Sequence, residues 1–84
     1  MKMYYIDMKG VGNKHYGRFI LKNGKIIIEA DTEDLKEELR QDIELWKKNW
    51  KHRGLDDEEK LFWKIPILTS YWSMVWATNP KELK

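Results

Sequence analysis

The dipeptide Asn23-Gly24 sits inside YGRFILKNGKIIIEA, between two runs rich in β-branched and aromatic residues. Asn-Gly supplies the two positive-φ positions of a type I′ turn, so this stretch is expected to fold as a tight antiparallel hairpin. A two-residue loop also sets the register: Lys22 opposite Lys25, Leu21 opposite Ile26, Ile20 opposite Ile27, Phe19 opposite Ile28 and Arg18 opposite Glu29. Phe19, Leu21, Ile26 and Ile28 then share the face that seeks a core. The other face pairs Arg18 with Glu29 favourably and sets two lysines against each other at a small cost.

Upstream, MYYIDMK alternates Tyr4, Ile6 and Met8 with Tyr5, Asp7 and Lys9, the period of a half-buried strand. Gly10, Gly12 and Asn13 form a loop between this strand and the hairpin. Downstream, Leu35, Leu39, Ile43, Trp46 and Trp50 recur at helical spacing behind an N-cap at Asp31 or Thr32. Acids crowd the start of that helix, bases its end, and Gly54 stands ready to stop it. A helix from Thr32 to Arg53 would measure roughly 33 Å, so its tryptophan end is expected to overhang the sheet. Asp56 and Glu59 read as a capping box for a short second helix, which Pro66 should end near Trp63 or Lys64.

SYWSMVWAT, Ser70 to Thr78, fits either period, but its short length and aromatic content favour a strand. Trp72, Met74 and Trp76 are expected beneath the long helix, with Tyr71, Ser73, Val75 and Ala77 on the other side. The expected fold is therefore α+β. It is a small single domain over residues 1–84 with a mostly antiparallel four-stranded sheet in the order β-β-β-α-α-β. One long and one short helix pack on one face, and residues 81–84 are frayed.

Composition limits the functions on offer. The chain has 84 residues and no cysteine, which excludes disulfides and thiolate metal sites and suits a reducing, cytoplasmic setting. Lys2 and Lys9 bracket too few residues for a signal-peptide core. The weakly charged run from Ile65 to Pro80 is too short to cross a bilayer, so no membrane partner is expected. Net charge is +2, laid out in blocks of alternating sign rather than as the uniformly basic surface of a polyanion binder.

Motifs for chemistry are sparse. GVGNKHYG, Gly10 to Gly17, leads into a strand rather than a helix N-terminus, and no Gly-Lys-Ser/Thr follows, so a phosphate loop is not expected. His15 and His52 stand apart, and Ser70 and Ser73 have no motif around them. The acids from Asp56 to Glu59 suit a helix start and lack the spacing of a calcium loop, and the bases of KKNWKHR suit a helix end. No catalytic residue, metal site or cofactor is expected.

What remains is the outer sheet face. The register would present Tyr5, Lys9, Tyr16, Arg18, Lys22, Lys25 and Tyr71 there, together with Ile20 and Ile27. Aromatics, cations and aliphatics of this kind anchor protein interfaces, and they also stack and neutralise single-stranded RNA or DNA. The expectation is a non-enzymatic protein-binding module, with single-stranded nucleic acid as the alternative partner on the same face. Self-contained modules of this size include inhibitors and accessory proteins of phages and mobile elements. A homodimer sealed through Trp46 and Trp50 is a third reading.

Overall fold

A computed structural model describes every residue except Met1, Tyr71, Ser73 and Lys84. Its centre is the expected hairpin, β2 (His15–Lys22) and β3 (Lys25–Glu29). Asn23 and Gly24 have φ of 54° and 75°, the type I′ signature, and the pairs run from Lys22↔Lys25 to Arg18↔Glu29 as read from the turn. β1 (Met3–Gly10) pairs antiparallel with β2, and Ile6, Met8, Phe19 and Leu21 are buried.

One irregularity changes which way a residue points. Met8 pairs with Gly17 but Lys9 with His15, leaving Tyr16 as the extra residue of a β-bulge. Tyr16 therefore turns to the core side, against the expectation that it faces outward, and packs on the core cluster. Its ring lies so close over Gly10 that an added Cβ there would come within 2.6 Å of it. Only glycine admits that approach.

Helix α1 (Glu33–Asn49) starts where the sequence signals it, with the Thr32 hydroxyl accepting from the Leu35 N–H at 3.2 Å. Leu39, Ile43 and Trp46 face the core. The helix ends earlier than Arg53: from Trp50 the chain tightens into a single 3₁₀ turn, Lys51–Arg53, closed by Gly54 at φ 80°. This leaves α1 about 25 Å long and shortens the overhang.

Helix α2 (Glu58–Thr69) is longer than expected, and its cap is Asp57 rather than Asp56. The Asp57 carboxylate accepts from the Glu59 and Lys60 N–H groups. Pro66 does not end it. Leu61, Phe62, Ile65 and Thr69 recur at helical spacing and are almost fully buried, and their burial outweighs the roughly 3 kcal/mol cost of an internal proline. Glu58 ties this helix to the hairpin: its carboxylate accepts from the Ile26 N–H at 2.8 Å and from Lys47 Nζ at 3.2 Å. Partial burial pushes the Glu58 carboxyl up, but those two bonds more than offset it and hold it below its usual value.

The C-terminal leg departs most from expectation. It forms two short strands, β4 (Val75–Ala77) and β5 (Lys81–Leu83), and both pair antiparallel with the same edge of β1. The sheet thus has five strands in the order β3-β2-β1-β4, with β5 beside β1 as well. Lys81–Leu83 is not frayed. The face of β4 is also reversed: Val75 and Ala77 pack inward, whereas Met74 and Trp76 are 64% and 38% exposed. Trp72, ahead of the strand, does lie on the helix side as expected, stacked on Trp46 of α1 though still 36% exposed. The longer α2 fills the volume under β1 with Leu61, Phe62 and Ile65, leaving room only for small side chains. Both helices cover one face of an antiparallel sheet, the α+β arrangement expected. No helix of the described residues is long and apolar enough to cross a membrane.

Candidate functional site

The uncovered sheet face is built by alternate residues of three strands: Tyr5, Asp7 and Lys9 from β1, Arg18, Ile20 and Lys22 from β2, and Lys25, Ile27 and Glu29 from β3. Pairing adds Trp76 opposite Lys9 and Lys81 opposite Tyr5. Five of the residues expected there, Tyr5, Lys9, Arg18, Lys22 and Lys25, do share this face. Tyr16 does not, because of the bulge, and Tyr71 lies outside the described residues.

Asp7 organises the centre. Arg18 Nε donates to Asp7 Oδ1 at 2.8 Å, and His15 Nε2 lies 3.2 Å from the same oxygen. Arg18 stands between Asp7 on one neighbouring strand and Glu29 on the other, and its ion pair goes to Asp7 rather than to the expected Glu29. Partial burial pushes the Asp7 carboxyl up, but the hydrogen bonds from Arg18 and His15 outweigh it and hold the group below its usual value. The same contact with Asp7 raises Arg18 further above its already high value. The guanidinium carbon sits 4.2 Å from the centroid of the Tyr5 ring, a cation–π contact that holds both groups in place.

Beside this cluster runs an apolar row across three strands, Tyr5–Ile20–Ile27. Ile20 is only 7% exposed although no helix lies above it, so its neighbours on the face close over it, while Ile27 is open to water. Lys22 and Lys25 border the row on one side, and Lys81 stands at its Tyr5 end. Asp7, Arg18 and Glu29 border it on the other side, with Lys9 beyond them. None of the four lysines makes an ion pair with a described residue. The face is thus a partly apolar row with uncommitted lysines along one side and at one end, and the Asp7–Arg18 ion pair and Glu29 along the other. Among the described residues no three His, Asp or Glu converge as a metal site would require.

Asp7 lies on this face as its alternation with Ile6 and Met8 implies, but its pairing with Arg18 was not legible, nor were His15, Trp76 and Lys81 as members of this surface. The β1–β2 register, which sets Asp7 opposite Arg18, has no turn signal of its own. Trp76 and Lys81 join only because β4 and β5 pair with β1 as they do. Trp46, expected at a dimer contact, is 5% exposed and belongs to the core, edge-on to Phe19 and stacked on Trp72 with centroids 5.4 Å apart. Trp50 is more open and stacks on His52. No protein family, curated protein or solved structure matches the chain.

Proposed function

We propose that the chain is a non-enzymatic protein-binding module that docks an acidic partner on its open sheet face. The observation that carries this reading is the Tyr5–Ile20–Ile27 row bordered by Lys22, Lys25 and Lys81, none of which makes an ion pair with a described residue. An apolar centre with a charged rim is how protein interfaces divide anchoring from steering. The Arg18–Asp7–Tyr5 cluster is already ordered, so docking costs little side-chain entropy. A protein that works by occupying a partner's surface is an inhibitor or accessory factor, and the cysteine-free composition suits a cytoplasmic setting.

Single-stranded nucleic acid fits the face less well. Base stacking needs open ring faces. One face of Tyr5 is covered by Arg18, and Tyr16 is turned under the sheet, which leaves Trp76 at the margin. The test is affinity capture from the native host with and without nuclease, using the wild-type chain and an Ile27→Asp/Lys22→Glu/Lys25→Glu variant. All three positions are exposed, and circular dichroism checks that the variant folds. The expected result is an acidic protein that survives nuclease and is lost with the variant. Capture that vanishes with nuclease, or that the variant leaves intact, overturns the reading.

A further inference from the structure

On the helix side, away from the open sheet face, α1 gives way at Trp50 and the chain swings round to α2. The early end of α1 leaves a groove of about 560 Å³ between the two helix ends. That volume falls within the range of about 300–1,000 Å³ typical of small-ligand sites. Its floor is the buried Trp46 and Leu55; its walls are Leu45, Trp50, Ile67 and Trp72, all large, apolar and exposed. Scattered exposed apolar side chains need no explanation, but two aliphatics and two indoles around one concavity form a patch that calls for an occupant.

The groove also has a charge. Arg53 and Lys64 are the only charged groups among its described lining residues, and neither makes an ion pair with a described residue. Asn49 adds an amide, so besides the indole N–H groups two cations and an amide border a mostly apolar space, with no carboxylate among the described lining residues. Stacking on Trp46, with ring planes 24° apart, fixes the Trp72 ring and leaves its outer face as a flat wall for a chain or ring to lie against. A second copy docked by a two-fold axis would set Arg53 and Lys64 against their own kind, which argues against a dimer through this patch.

We infer that this groove binds a small anionic amphiphile: one apolar chain or ring carrying a single carboxylate or sulfonate, its body against Trp46, Trp50 and Trp72 and its head at Arg53 and Lys64. This site is independent of the sheet-face reading and stands or falls separately. Decanoate is the probe, titrated below its micellar concentration beside decanol and decyltrimethylammonium and followed by the indole N–H resonances. Decanoate should saturate with Kd below about 1 mM and bind about tenfold more tightly than the cationic analogue. Trp50 and Trp72 should shift most. In an Arg53→Glu/Lys64→Glu variant the charge preference should reverse, and Ile67→Asp, at an exposed position, should abolish binding without unfolding the chain. Failure to saturate, equal affinity for all three amphiphiles, shifts centred on Trp76, or light scattering that shows the groove closed by a second copy would each overturn it.

Discussion

The two edges of β1 are held in different ways. On one side β2 runs in register from Tyr4↔Leu21 to Met8↔Gly17, resumes past the bulge at Lys9↔His15, and sends Phe19 and Leu21 into the core. On the other, β4 and β5 each cover only three residues of β1, and β4 sends in no more than Val75 and Ala77. Polar bonds make up part of the difference. The Asp7 N–H donates to Thr78 Oγ1 at 3.0 Å while the Thr78 N–H donates to the Asp7 carbonyl at 2.9 Å. Deeper in, Thr69 Oγ1 donates to the Ile65 carbonyl and accepts from the Ala77 N–H at 3.3 Å, pinning β4 to α2. One edge is secured by buried apolar area, the other by a few placed hydrogen bonds.

The sharpest way to break this contrast is to remove the largest side chain from each edge. Phe19→Ala should cost about 4 kcal/mol in denaturant unfolding, because Phe19 is fully buried against Trp46 and its neighbours. Trp76→Ala deletes a bigger side chain but should cost only about 1–2 kcal/mol, since that indole lies on the outer face and is 38% exposed. Comparable losses would mean that the C-terminal leg carries core packing after all.

The same contrast explains what could be read from residues alone. The β2–β3 register was legible because a two-residue Asn-Gly loop leaves a single pairing, and with it came Arg18, Lys22 and Lys25 on one face. The helix start at Thr32 was legible because a hydroxyl N-cap acts within one turn. Pro66 misled because its local penalty was weighed without the burial of Phe62 and Ile65, which depends on the whole fold. Tyr16 misled because the bulge answers to a contact with Gly10 across strands. In SYWSMVWAT only Val75–Ala77 is strand, and which side of it faces inward is decided by the space α2 leaves, so Met74 and Trp76 gave way to Val75 and Ala77. Local rules read well where the chain meets itself within a few residues; the weaker edge of β1 is assembled from segments some seventy residues apart, such as Asp7 and Thr78.

A smaller effect tests whether β4 depends on its hydrogen bonds. Thr69→Val keeps the shape of a side chain that is 1% exposed but leaves the Ala77 N–H without its acceptor. The expected cost is about 2 kcal/mol. Hydrogen exchange should show Val75–Ala77 losing protection while Phe19 and Leu21 keep theirs. If the amides of β4 stay protected in the variant, the edge is held by something other than Thr69.

Asp7 touches both edges, its carboxylate reaching β2 and its backbone reaching Thr78, and pH separates the two roles. Because its folded pKa is lowered from 3.8, the charged carboxylate contributes stability that is fully present above 3.8 and is lost as pH falls through the lower folded value. Asp7→Asn should therefore cost about 1 kcal/mol at neutral pH, the scale of a partly exposed ion pair. The cost should shrink toward zero in strong acid, where the wild-type carboxyl is itself neutral. The bonds between its backbone and Thr78 do not titrate, so β4 should stay in place throughout. A penalty that persists unchanged to about pH 2 would mean that the substituted amide disturbs packing rather than removing a charge, and that the fixed Arg18–Tyr5 pair at the centre of the open face does not rest on Asp7.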